Sequence, residues 1–157
     1  MPRRARVIIN NGCYHVISRG HEKKVTFIAN SDYERYFKLL VKYKRKYKFK
    51  LYGWCAMPNH PHLVILSDNL SKSMHAVNFS YAQYFNYKYE RVGYLWQNRF
   101  KSYVVQKDRY LLNLISYIEY NPVRAGIVGN PEDYRWSSYG ARVLGYDEFG
   151  LLDSLEI

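Results

Sequence analysis

Cysteine is scarce: Cys13 and Cys55 are the only two in 157 residues. Two thiols make neither a disulfide framework nor a C-x-x-C zinc site. A reducing, cytoplasmic setting is the simplest expectation. No stretch approaches the ~18 apolar residues that span a membrane. The N-terminus is basic but lacks an apolar core segment, so no signal peptide is expected. Acidic residues number 13 against 24 Lys and Arg. Internal repeats, low-complexity tracts and linkers are absent. The length suits one domain over 1–157, with a basic arm at 1–6 and a loosely held tail at 147–157.

Hydrophobic residues make up 48% of the chain, enough for a packed core. The formal charge of +11 predicts attraction to a polyanion. There are 18 Tyr, 7 Phe and 3 Trp. Aromatic rings stack on bases while Lys and Arg pair with phosphates, a mixture suited to single-stranded nucleic acid. A basic protein with an aromatic core has the same composition. The candidate phosphate contacts are Arg3, Arg4 and Arg6 in the arm, then Arg19, Lys42, Lys44, Arg45, Lys46, Arg99 and Lys101.

Residues 13–19 read as a strand after the Asn10-Asn11-Gly12 turn signal. His15 on it has no second ligand beside it in sequence, so a structural or DNA-facing role is expected. Ser31 with Glu34 forms a capping-box pattern, and Tyr33, Tyr36, Phe37 and Leu40 continue at helical spacing to Tyr47. A second strand is expected over 49–56. A Pro-Asn turn then leads into His60-Pro61-His62-Leu63-Val64-Ile65-Leu66, a buried strand. A second helix is expected over 71–91, ended by Gly93. A fourth strand follows within 94–105. A third helix is expected over 107–120, with Asp108 near its start and Pro122 closing it. The order β-α-β-β-α-β predicts an α+β, ferredoxin-like split βαβ arrangement. It is an antiparallel sheet with helices on one face plus an additional, catalytic helix.

Residues i and i+2 of a strand share a face, roughly 7 Å apart. His60 and His62 therefore project together. Imidazole is a common metal ligand. On the late helix Tyr117 and Asn121 stand at i, i+4 and are neighbours. If that face covers the histidines, His60, His62 and Asn121 can share one divalent ion, with positions left for phosphate oxygens. Tyr117 is then placed to attack phosphorus and form a covalent intermediate. Tyr120 is a rival nucleophile, about 60° round the helix.

These segments jointly resemble the single-strand DNA transposases of the HUH tyrosine class, and within them the REP-associated tyrosine transposases. The residues that carry the resemblance are Tyr14-His15-Val16-Ile17-Ser18-Arg19-Gly20, Met57-Pro58-Asn59-His60-Pro61-His62, Tyr84-Phe85-Asn86, Gly93-Tyr94-Leu95-Trp96-Gln97-Asn98-Arg99-Phe100, Tyr117-Ile118-Glu119-Tyr120-Asn121-Pro122-Val123-Arg124-Ala125-Gly126 and Tyr134-Arg135-Trp136-Ser137-Ser138-Tyr139. The resemblance implies a ferredoxin-like catalytic domain, a Mg2+ or Mn2+ ion, single-stranded hairpin DNA as substrate, and a 5′-phosphotyrosine intermediate with a free 3′-OH. By motif match His60 and His62 are the histidine ligands, Asn121 the third ligand and Tyr117 the nucleophile. Pro61 departs from the bulky hydrophobe usual between the histidines, and the C-terminus is shorter than in longer relatives. A mobile element and a domesticated hairpin-processing enzyme both fit, as do monomer and homodimer. A non-catalytic single-stranded nucleic-acid-binding module is the alternative, although such a module has no use for H-x-H with Tyr-x-x-x-Asn.

Overall fold

A computed structural model describes residues 9–155. Strand β1 (Gly12–Ile17) leads through a loop to helix α1 (Asn30–Tyr47) and strand β2 (Lys50–Met57). A two-residue turn joins β2 to β3 (His60–Ser67), followed by α2 (Leu70–Lys88) and β4 (Lys101–Val104). Helix α3 (Arg109–Glu119) and two single-turn helices, α4 (Asn121–Arg124) and α5 (Tyr139–Arg142), complete the chain. The strands form one antiparallel sheet in the order β2-β3-β1-β4. This is the expected split βαβ topology: α1 crosses from β1 to β2, leaving room for β3 between them. No described helix is long and apolar enough to cross a membrane.

Cross-strand partners share a face, so the pairing register sorts the sheet into two sides. Trp54 pairs with Leu63 and Leu51 with Ile65; Val16 and Tyr14 stand on the far side of those partners. Helices α1 and α2 cover this face. The rings of Phe37 and Trp54 lie 6.3 Å apart, and Tyr36 meets Tyr81 edge-on at 5.5 Å. The opposite face carries His62 between Cys55 and Ile17, and Val64 between Gly53 and His15. Helix α3, the additional helix, packs there. A Cβ on Gly53 would fall 2.7 Å from the Ile115 side chain, so glycine is what lets α3 approach β2.

Helix α1 starts two residues before the expected cap. Its N-cap is Ala29, and the carboxylate of Asp32 accepts the backbone N–H groups of Ile28 and Ala29 at 3.0 and 2.9 Å. Ser31 and Glu34 are committed to tertiary partners instead. The Ser31 hydroxyl accepts from Lys88 at 2.7 Å, and Glu34 pairs with Arg135 at 3.3 Å. Asp32 also accepts from Lys88, Tyr84 and Tyr89, tying the start of α1 to the end of α2.

The tail expected to be loose from Asp147 is docked along the outer edge of β2. Leu152 bridges Leu51, Asp153 N–H donates to Leu51 O at 2.8 Å, and Lys44 pairs with Asp153 at 2.6 Å. Upstream, Ala56 and Ser138 exchange backbone bonds with Trp136 and Trp54. An unpaired strand edge is a site of unwanted association, and this segment covers one. It is also locked to α3, because buried Glu119 accepts from Ser138 at 2.6 Å and from Arg142 at 3.0 and 2.5 Å.

Candidate active site

The histidine strand begins on a pinned turn. Pro58 O accepts from Thr26 N at 2.8 Å and Phe27 N at 3.1 Å, and Asn59 O accepts from Gly20 N at 2.9 Å. Gly20 admits no side chain, since a Cβ would sit 2.2 Å from Lys24 O. The turn therefore presents His60 and His62 from a fixed frame. Their ring centroids are 4.8 Å apart. Pro61 faces the other side of the sheet, opposite Ala56, and leaves the alternation intact.

Each ring has one nitrogen engaged by protein. His60 Nδ1 lies 2.5 Å from Asn59 Oδ1, which accepts, so Nε2 keeps its lone pair. His62 Nδ1 lies 2.9 Å from His15 Nε2. When His62 donates in that pair, its own Nε2 is likewise left as an acceptor. His15 does have a partner after all. That partner, His62, stands diagonally across on β3 and not on His15's own strand, which is why local sequence hid it. Tyr103, opposite His15 on β4, tilts over it at 6.0 Å.

The imidazoles are held neutral. Burial, then His60, His15, Arg19 and Arg124 in turn, push His62 down to about 3. Burial and Arg19 lower His60, and burial lowers His15. Neutral imidazole is the metal-binding form. Among the described residues no three His, Cys, Asp or Glu side chains form a metal cluster. A cation here would rest on two imidazole nitrogens plus the Asn121 amide oxygen, leaving coordination positions for phosphate. The donor set fits a small divalent ion that keeps open positions.

Tyr117 lies on α3 and is 61% exposed, while Leu111, Ile115 and Ile118 are buried against the sheet. Asn121 is not on the same helix. α3 ends at Glu119, and Asn121 opens α4 with Pro122 in its first turn. Proline has no N–H and cannot continue the ladder. The Tyr117 carbonyl at the helix end is taken up by the Arg124 side chain at 2.5 Å, and the same Nη2 donates to Asn121 Oδ1. The Arg124 guanidinium stands 3.7 Å over the Tyr117 ring. Its charge is also felt at His62 and Cys55, which relates this cluster to the histidine face. Sequence alone assigns Arg124 no role; its spacing of three from Asn121 and seven from Tyr117 is the signal that points to it. Tyr120 is 42% exposed and meets Tyr139 edge-on at 6.3 Å.

The basic candidates divide. Arg19 is exposed, and its charge lowers both His60 and His62. Lys101 pairs with Ile17, which pairs with His62, so all three share one face. Lys42, Lys44, Arg45 and Lys46 lie on α1, which packs against the other face and runs into the far end of β2. That end is about 25 Å from the His60 end for an eight-residue strand. Lys44 is moreover committed to Asp153. Arg99 lies in the 93–100 segment beside α2. Arg3, Arg4 and Arg6 lie outside the described residues.

The family model for transposases of the IS200-like kind matches residues 9–121. A REP-associated tyrosine transposase of Haemophilus influenzae is 31% identical in an alignment of 109 positions that covers 59% of this chain and 60% of that protein. The chain thus spans about 60% of the length of that curated relative. Among solved structures, a REP-associated tyrosine transposase bound to a REP hairpin matches with a TM-score of 0.77 at 19% identity, over 100% of this chain and 94% of the other. A transposase from Deinococcus radiodurans matches with a TM-score of 0.51 at 15% identity, over 75% of this chain and 96% of the other. At these identities the structural likenesses show a shared fold.

Proposed function

The chain belongs to the IS200-like transposase family, and on that premise we propose that it cleaves and rejoins single-stranded DNA near hairpins, through a covalent bond to Tyr117. The observation that carries this reading is the Arg124 contact that joins Tyr117 to Asn121, with its charge reaching His62. Among 18 tyrosines, that contact sets Tyr117 apart.

His60, His62 and Asn121 are the residues that would hold Mg2+ or Mn2+. When bound, the ion supplies Lewis-acid polarisation of the scissile phosphate. Arg124 must release Asn121 for that ligation, and a phosphate oxygen is the natural acceptor for the freed guanidinium. Tyr117 Oη attacks phosphorus, the P–O3′ bond breaks, and the phenol's proton ends on the 3′ oxygen. The product is a 5′-phosphotyrosine and a free 3′-OH. Attack by another 3′-OH reverses the step and transfers the strand. Arg19 and Lys101 bind backbone phosphates around the histidines and steer the DNA to this face.

The test is incubation of the full chain with labelled hairpin DNA bearing single-stranded flanks, plus Mg2+ or Mn2+. A covalent protein–DNA adduct on a denaturing gel is the expected result. DNA binding without any adduct under either ion overturns catalysis and leaves the binding-module reading.

A further inference from the structure

A groove of about 970 Å³ runs between α2 and the 93–100 segment, apart from the histidine site. Its lining includes Phe79, Tyr94, Trp96, Gln83, Gln97 and Lys72. The buried face of α2 is made by Leu70, Met74, Val77, Tyr81 and Phe85. Phe79 is therefore outside the core stripe and is 53% exposed; Tyr94 is 82% exposed. Phe79 lies nearly parallel to His75 at 5.7 Å, a flat platform on the helix surface. Exposed rings that no core position explains mark a binding surface.

One buried acceptor in the groove lining lacks a partner among the described residues. The buried Oδ1 of Asn78 has no hydrogen-bond partner, although its Nδ2 donates to Ser18 and its backbone carbonyl accepts from Trp96. Buried acceptors are normally satisfied. Amides beside aromatic rings are the groups that read the edges of stacked, unpaired bases. Lys72 and Arg99 in the same lining suit a polyanion.

Backbone bonds fasten the groove's 93–100 wall to the corner beside the proposed site. Trp96 bridges Gly20, His21 N–H donates to Leu95 O at 2.8 Å, and Gln97 N–H donates to Arg19 O at 2.8 Å. Gly20 in turn donates to Asn59, the residue before His60. One wall of the groove is thus fastened to the corner that carries Arg19 and supports the histidine turn.

We infer that this groove holds unpaired nucleotides of the DNA, with bases stacked on Phe79 and Tyr94 and contacted by the Gln83, Gln97 and Asn78 amides. The strand then passes over the Arg19–Gly20 corner to His60. This rests on the reading of single-stranded DNA as the substrate. A duplex hides its base faces in the stack, so the groove selects the single-stranded flank and not the hairpin stem.

The probe is a fluorescent GC-rich stem-loop, carrying an oligo-thymidine flank on its 5′ side, on its 3′ side, or on neither. In the full chain at least one flank should tighten binding over the flankless hairpin. Phe79→Ala and Tyr94→Ala should each lose about tenfold of that gain, as for a stacked base. Tyr94→Phe should retain it, and flankless binding should be unchanged in all variants. Circular dichroism checks the fold, and both positions are exposed. A flank gain that is absent in the wild type, or that survives the double alanine variant, overturns the inference. So does concentration-dependent self-association of the wild type that the double variant abolishes, because the groove would then hold a second copy. The two readings fail separately. A groove-dependent flank gain without any adduct leaves the groove standing and removes catalysis, while an adduct with groove-independent binding does the reverse.

Discussion

The guanidinium of Arg124 lies 3.7 Å over the ring of Tyr117, and its Nη2 bonds the Tyr117 carbonyl and the Asn121 amide oxygen at once. A planar cation on a phenol face attracts the ring's negative quadrupole. It also fixes where the hydroxyl points. The end of α3 at Glu119 makes this possible, because the Tyr117 carbonyl is among the last four of the helix and has no i+4 donor within it.

Arg124→Ala should lower the rate of adduct formation about 10- to 100-fold, as expected when a positioning contact to a reacting group is lost. Arg124→Lys should not restore it, since an ammonium cannot donate from a planar fork while stacking on the ring. Single-turnover kinetics with protein in excess over DNA would measure both. A full rate in Arg124→Ala would show that the contact is incidental.

Tyr117→Phe should fold, bind DNA and form no adduct. Its stability should change by no more than about 0.5 kcal/mol, the usual range for an exposed position. Tyr120→Phe should still form the adduct. Mass spectrometry of the trapped peptide locates the phosphotyrosine, and a mark on Tyr120 would reassign the nucleophile.

Chelator, His60→Ala and His62→Ala should each abolish cleavage while leaving most DNA binding. His15→Ala should weaken the metal requirement's apparent affinity about 10- to 100-fold without abolishing activity, because it supports His62 from behind. A titration of cleavage against Mn2+ would separate these outcomes. Unaltered cleavage in chelator would remove the metal role.

DNA affinity should fall steeply with salt, by about 0.7 in log K per neutralised phosphate per log unit of salt. Arg19→Ala and Lys101→Ala should each reduce that slope by about one phosphate's share. Lys44→Ala should leave the slope alone and reduce stability instead, because its partner is Asp153. Anisotropy at a series of salt concentrations, with thermal unfolding alongside, would check both.

Acid should loosen the junction of α1 and α2. Burial works to raise the Asp32 carboxyl, but bonds from Ala29 N–H, Lys88, Tyr89 and Tyr84 outweigh it and hold it at about 2, below its ordinary 3.8. A depressed carboxyl adds stability above its unfolded value, and that stability is lost as pH falls from about 4 towards 2. The amount is about 2 kcal/mol. Asp32→Asn should cost about 1–3 kcal/mol at neutral pH and flatten this part of the acid limb. Urea unfolding at several pH values would show it.

Much of the molecule is written locally. The order of strands and helices follows from apolar periodicity, and Asp108 caps α3 through Tyr110 N–H as its position predicts. The alternation of His60 and His62 needs only a strand, and Pro122 sets the end of α3 by steric rule. Four things needed the folded chain. Asp32 and not Ser31 anchors α1, because Lys88 and Tyr89 arrive from a helix some fifty residues away in sequence. His15 joins His62 only through the β1–β3 register. The basic cluster on α1 reads as one with Arg19 and Lys101 in sequence, yet the sheet stands between them. The tail from Asp147 looks loose by composition, but it finds the open edge of β2. Propensity, capping and alternation act over a few residues and are visible in a string of letters. Which faces meet is decided by backbone pairing and by the burial of side chains from distant segments, and that exists only once the sheet has formed.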